Sequence, residues 1–226
     1  MATVAVLLAP LFASGQTQVR WPVGGVLSEL QLSMLGEECF FLAEPLGDEL
    51  FARIDGVSYD RGCTTPRSAL RCLHLLHRNF KGHAQVGEMI CAAPVADELL
   101  DIFRELFDAS YPIEKVFLID EYGADDNRSM ADNNTSCFNF RSKPGMQELS
   151  MHAKGLAVDI NPLYNPYVKE TVVKPAAASR YADRTLRCPY YIRRGDLCYN
   201  AFTSRGWKWG GSWSSMKDWQ HFEKNQ

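Results

Sequence analysis

The sequence predicts an α+β fold, a single domain with a central, mostly antiparallel sheet flanked by helices. Three observations carry this prediction. At 226 residues, with 46% hydrophobic and 12% aromatic content, the chain can bury one sizeable core without a second domain. Helical and extended patterns are intermixed, without the regular strand–helix–strand alternation of a doubly wound sheet. No internal repeat points to a solenoid or propeller.

The elements follow in chain order. Val4 to Ala13 form an apolar stretch that runs into small and polar residues, as an export signal ends, and residues 1–15 are assigned to such a signal. The stretch is too short to span a bilayer and lacks a basic start, since the first Lys or Arg is Arg20; a buried N-terminal strand is the competing reading. "TTPRSALRCLHLLHRNFKG" predicts a helix: Thr65 as N-cap, Pro66 at the first position, Gly82 past the end, and Ala69, Leu73, Leu76 and Phe80 on one stripe. "VADELLDIFRELFDASYP" predicts a second, with Val95, Leu99, Phe103 and Leu106 on its apolar face and acids in its first turn. Candidate strands are Val86 to Ala92, Val116 to Asp120 and Leu156 to Ile160. The hydrophilic segment 122–136, "YGADDNRSMADNNTS", reads as a long solvated loop; it lacks the glycine and terminal glutamate of an EF-hand, and its Asn-x-Ser/Thr triplets are given no function.

Composition excludes some partners. A net charge of -3 and a pI near 6.0 provide no footprint for nucleic acid or an anionic membrane. The seven cysteines are an odd number without a Cys-x-x-Cys pair, which argues against a structural zinc knuckle. Cys188 and Cys198 bracket a polar segment that a disulfide could close in an oxidising compartment, whereas Cys72 and Cys91 read as buried free thiols. His74, His77 and His83 are read as structural, and the Arg-Gly-Asp triplet at 194–196 as a chance turn.

The chemistry concentrates in two stretches. In "SMHAKGLAVDINPLYNPY", residues 150–167, strand parity sends Val158 and Ile160 to a core and leaves Asp159 beside Ala157 on the other face, while Gly155 bends the chain so that His152 can converge on Asp159. Near the C-terminus, "KDWQHFEK" places Asp218 three residues before His221, after the Trp- and Gly-rich run "GWKWGGSW" that can wall a cleft. Two imidazoles and one carboxylate, His152, His221 and Asp159, are a common ligand set for catalytic zinc with an open fourth position, and Asp218 is then placed as a base.

Ser150, His152, Gly155, Ala157 and Asp159 spell S-x-H-x-x-G-x-A-x-D, and Asp218 with His221 spells the later acid-x-x-His. Together they resemble the zinc D-alanyl-D-alanine carboxypeptidase family, which includes D,D-dipeptidases and L-alanyl-D-glutamate endopeptidases. The resemblance runs from about Arg53 to the C-terminus, so residues 53–226 are assigned to a zinc peptidase domain and 16–52 to an N-terminal extension; "NNTSCFNFR" and "DINPLYNPY" are similar to an exported bacterial branch. The resemblance implies one zinc ion held by His152, Asp159 and His221 in a cleft on the sheet, with Asp218 as general base toward zinc-bound water. It implies that Arg141 contacts the substrate carbonyl; a surface ion pair is the alternative for Arg141. Ser150 and Trp213 are expected at the substrate, with plain core packing the alternative for Trp207, Trp209 and Trp213. The expected partners are peptidoglycan stem peptides, met outside the cytoplasm by a monomer without an integral membrane segment. The competing classes are a non-catalytic, zinc-stabilised binding or signalling module of the same fold, as in hedgehog-like domains, and an intracellular dipeptidase. Retention of both Asp218 and Arg141 argues against the first, and the apolar N-terminus against the second.

Overall fold

A computed structural model describes residues 7–8, 19–143 and 147–225. Strands β1 (Leu7–Leu8) and β2 (Val19–Arg20) pair antiparallel, and the rest of the expected export signal lies outside the described residues. Then come β3 (Val26–Leu27), α1 (Glu29–Leu35), β4 (Leu42–Pro45), α2 (Asp48–Ile54), the long β5 (Leu70–Arg78) and β6 (Ala84–Ala92), and α3 (Ala96–Asp108). The remaining elements are β7 (Lys115–Val116), α4 (Asp126–Ala131), β8 (Asn134–Thr135), β9 (Ala157–Asp159), β10 (Tyr167–Lys169) and β11 (Val172–Lys174). Helix α5 (Leu197–Thr203) and strands β12 (Lys208–Trp209), β13 (Lys217–Asp218) and β14 (His221–Glu223) complete the chain.

The fold is mixed α+β with mainly antiparallel pairing. The largest sheet has the order β3-β6-β5-β4, and the smaller sheets β12-β14-β9 and β11-β10-β13 carry the C-terminal stretches. Helix α3 covers the large sheet: Leu99, Ile102, Phe103, Leu106 and Phe107 pack with Leu73, Leu75 and Val86 in one buried cluster. That cluster continues through Leu156, Val158 and Ile160 to Phe202, Trp207, Trp209 and Phe222, so the two site-bearing strands β9 and β14 are anchored in the same apolar mass as the large sheet. Among the described residues no helix is long and apolar enough to cross a membrane.

Several expectations hold and some do not. The helix expected over "VADELLDIFRELFDASYP" is α3, and the strands expected at Val86 to Ala92 and Leu156 to Ile160 are β6 and β9. Of Val116 to Asp120 only Val116 is in a strand, and Ile119–Tyr122 turn into a short 3-10 helix. The helix expected over 65–82 is instead β5, because residues 70–78 lie between β4 and β6 with both faces mostly covered, which fills both strand faces with apolar residues and imitates a helical stripe. Pro66 opens only a 3-10 turn, Arg67–Ala69, and Gly82 belongs to the β5–β6 hairpin, where the Asn79 side chain accepts hydrogen bonds from Lys81 N and His83 N. The supposed loop 122–136 contains α4, whose N-terminus is capped by the Asp125 carboxylate, and buries Ser129, Asn133, Asn134 and Thr135. All seven cysteines are free thiols; Cys198 is buried in the core with α5, so no bridge to Cys188 closes the loop.

Candidate metal and catalytic site

Two antiparallel registers build the site. On β9 and β14, Asp159 and His221 are direct cross-strand partners, and on β10 and β13 Tyr167 stands opposite Asp218. His152 comes from a 3-10 turn, His152–Lys154, that precedes β9. Gly155 ends this turn with φ +66°, and a Cβ there would lie 2.5 Å from Ala92 N, so glycine lets the turn seat against β6. At Gly210 a Cβ would meet Asp218 O at 2.7 Å and Asp218 Cβ at 2.8 Å, so its lack of a side chain lets the Trp-rich segment close on the site.

The three expected ligands converge. His221 Nδ1 lies 2.9 Å from Asp159 Oδ1, and His152 Nε2 lies 3.3 Å from Asp159 Oδ2 and from His221 Nδ1. These separations approach the edges, about 3.3 Å, of a tetrahedron whose metal–nitrogen and metal–oxygen bonds are near 2.0–2.1 Å. Both imidazoles are oriented from behind. His152 Nδ1–H donates to the Cys137 carbonyl at 2.6 Å, which turns Nε2 toward the centre, and His221 Nε2 faces Glu223 Oε2 at 3.3 Å, which leaves Nδ1 for the centre. The donor set, its spacing and its outer partners fit a zinc ion.

The charges are coupled through burial. Burial opposes ionisation of Asp159, yet the charges and hydrogen bonds of His152 and His221 hold its carboxyl well below the usual carboxylate range. Burial likewise disfavours charge on His221, but the hydrogen bonds to Asp159 and Glu223 push it up to about 10. Asp218 behaves in the opposite way. Burial pushes its carboxyl up to about 7; the charge of His221 opposes the rise and that of Asp159 reinforces it. Its Oδ1 is shielded from solvent and has no hydrogen-bond partner among the described residues. A carboxylate so placed can take up and release a proton near neutrality.

All seven residues singled out in the sequence line one cavity of about 430 Å³: Arg141, Ser150, His152, Asp159, Trp213, Asp218 and His221. Arg141 sits beside Ser150 because Ser142 and Leu149 form an antiparallel bridge and Ser150 N donates to Arg141 O at 3.1 Å. Its Nε is ion-paired with Asp126 Oδ2, so the ion-pair alternative describes a real contact, made at the cavity and not on the outer surface. Ser150 Oγ accepts a hydrogen bond from His152 N at 3.3 Å and thereby shapes the His152 turn. The tryptophans divide: Trp207 and Trp209 are core, whereas Trp213 is half-buried with its ring centroid 5.4 Å from that of His221.

Among the lining residues that the sequence did not mark are Asp126, Tyr167 and Glu223. Asp126 holds Arg141 and accepts from Asn139 Nδ2 at 3.0 Å, but it was hidden in what read as a loop. Tyr167 joins the site through its register with Asp218, a pairing without a local signal. Glu223 could have been found, since it follows His221 by two residues and therefore shares its face of the strand.

Residues 144–224 match the family model described as D-alanyl-D-alanine carboxypeptidase, which supports the resemblance read from the motifs. The match spans less than half of the chain and contains every candidate site residue except Arg141. No curated protein and no solved structure gives a significant match.

Proposed function

From the match of residues 144–224 to the D-alanyl-D-alanine carboxypeptidase family model, we propose that the chain is a zinc metallopeptidase that hydrolyses peptidoglycan stem peptides, at a D,D-carboxypeptidase or L-Ala-D-Glu endopeptidase bond. The observation that carries this reading is the placement of Asp218 Oδ1, unpaired among the described residues, in the same cavity as the converging His152, Asp159 and His221. A purely structural metal site has no use for a solvent-shielded carboxylate oxygen left without a partner beside it.

His152, Asp159 and His221 would hold the ion. Bound there, zinc supplies Lewis-acid polarisation of a carbonyl and acidification of water. Asp218 accepts the proton of the attacking water as its oxygen bonds to the carbonyl carbon, and returns that proton to the amine nitrogen as the C–N bond breaks. Asp126 holds the Arg141 guanidinium through Nε, which leaves its Nη donors for the carbonyl oxygen as negative charge develops there. Trp213 and Tyr167 line the cavity with apolar surface suited to the alanine methyl groups of a stem peptide, and Ser150 keeps the His152 turn in place.

The peptidase unit proposed here is residues 53–226 in a single domain, with 16–52 an extension that lends β3 and β4 to its sheet, and residues 1–15 an export signal that delivers a monomer to the periplasm or exterior. Digestion of purified muropeptides by the zinc-loaded protein, with the products weighed, tests the activity and assigns the bond. Loss of a terminal D-alanine identifies a carboxypeptidase and release of an L-alanyl fragment an endopeptidase. Intact muropeptides after prolonged digestion would refute the proposal.

A further inference from the structure

A second cluster of metal-ligating side chains lies on the large sheet, outside the cavity described above. Cys72 and His74 are two apart on β5 and share a face, Glu88 on β6 stands directly opposite His74, and Glu44 on β4 stands directly opposite Cys72. The sheet register therefore delivers a thiol, an imidazole and two carboxylates from three adjacent strands to one place. Cys72 Sγ, one His74 ring nitrogen and one Glu88 oxygen all lie within 4.8 Å of one another, with Cys72 and Glu88 buried and His74 half-buried. They border a cavity of about 460 Å³ that also meets Asp48 and Glu49, with Arg53 as the lone Lys or Arg on its wall among the described residues.

The separations are instructive. Cys72 Sγ lies 3.9 Å from His74 Nε2 and 3.7 Å from Glu88 Oε1, and His74 Nε2 lies 3.2 Å from Glu44 Oε2. Zinc–sulfur bonds near 2.3 Å and zinc–nitrogen or zinc–oxygen bonds near 2.0–2.1 Å give tetrahedral edges of about 3.5 Å to sulfur and about 3.3 Å between nitrogen and oxygen. Each of these three separations is within a few tenths of an ångström of the corresponding tetrahedral edge. Glu88 is also oriented: Arg53 Nη2 donates to its Oε2 at 3.3 Å and to Glu121 Oε1 at 3.2 Å, so Oε1 is the oxygen turned toward Cys72.

We propose that Cys72, His74 and Glu88, with Glu44 in the fourth position, form a second binding site for a divalent transition-metal ion of the zinc class. Thiolate and imidazole donors select such an ion over calcium or magnesium, which take oxygen ligands. Two further carboxylates on the wall add attraction for a cation. Four protein ligands close the coordination shell, so this ion ties β4, β5 and β6 together and has no open position for substrate, unlike the three-ligand centre at His152. The proposal is independent of the peptidase reading.

Cobalt substitution separates the two sites, because only the second contains a sulfur ligand. Metal-free full-length protein, kept reduced, is titrated with Co²⁺ while metal content and the near-ultraviolet spectrum are recorded. Two equivalents per chain are expected, one of them accompanied by a thiolate-to-cobalt charge-transfer band. Cys72→Ser is expected to lose the band and one equivalent while binding of the other equivalent persists, and His152→Ala to lose that other equivalent and keep the band. Saturation of the wild-type protein at one equivalent with no band overturns the proposal without recourse to any variant. A band that survives Cys72→Ser assigns the sulfur to another cysteine and overturns it as well.

Discussion

The sharpest consequences fall on single atoms. His152→Ala removes a ligand whose ring is already oriented by the Cys137 carbonyl, so metal analysis of the purified variant is expected to show loss of the catalytic equivalent. Asp218→Asn keeps the shape and the ligands but cannot take a proton, and zinc-loaded variant is expected to lose about 100-fold to 10,000-fold in kcat. Near-normal turnover at full zinc occupancy would remove Asp218 from the chemistry. Arg141→Lys keeps charge but replaces a planar fork held at Nε by Asp126 with a mobile point charge. The loss of one positioned donor typically costs about 100-fold to 1000-fold in turnover, so kcat is expected to fall far more than KM rises, with zinc content unchanged. Wild-type kcat in this variant would leave Arg141 a structural partner of Asp126. At this scale the convergence of these groups was legible, because His152 with Asp159 and Asp218 with His221 form two short motifs, each local and chemically distinctive. Asp126 and Tyr167 were not legible, because they reach the site through a helix cap and a cross-strand register that no short motif encodes.

At the scale of elements, the outcome depended on whether the local pattern agreed with the tertiary surroundings. Helix α3 was readable because its apolar stripe faces the sheet and its other face is wet. Strand β5 was not, since an interior strand covered on both faces loses the alternation that marks a strand, and its Leu-rich run then satisfies a helical template by chance. The turn before β9 shows the reverse case, a glycine whose need was visible in the motif and whose reason appears only in three dimensions. Gly155→Ala places a Cβ 2.5 Å from Ala92 N and forces a non-glycine residue to φ +66°. Such strained conformations cost on the order of 1–3 kcal/mol each before any clash is counted. The urea midpoint of Gly155→Ala is therefore expected to fall with an unchanged m-value, and zinc retention to fall with it, since His152 rides on the same turn. A midpoint equal to wild type would mean that β6 and the turn can separate without penalty.

For the molecule as a whole, one buried imidazole gives stability a predictable acid limb. His77 on β5 is almost wholly buried, and its Nδ1–H donates to the Ile113 carbonyl at 2.7 Å, which ties the large sheet to the segment leading into β7. Its Nε2 has no partner among the described residues, so the ring is a neutral structural group, as its place in the sequence suggested. Burial pushes its pKa from the ordinary 6.5 down to about 4, against a small opposing effect of the Ile113 carbonyl. The unfolded chain therefore takes up a proton near pH 6.5 that the folded chain refuses until about pH 4. Where the unfolded state binds more protons, stability rises with pH, so the contribution is fully present above pH 6.5 and is lost as pH falls toward 4. A shift of this size corresponds to roughly 3 kcal/mol. His77→Asn retains a donor for Ile113 but no group that titrates in this window. Its unfolding free energy is expected to start lower, for loss of packing, and then to decline less steeply between pH 6.5 and 4 than that of wild type. Carboxylates and metal ligands contribute to the acid limb in both proteins, so the difference between the two slopes isolates His77. Parallel slopes across that window would show that the folded protein admits a proton at His77 as readily as the unfolded chain, and would locate the acid sensitivity in the carboxylates and metal ligands instead.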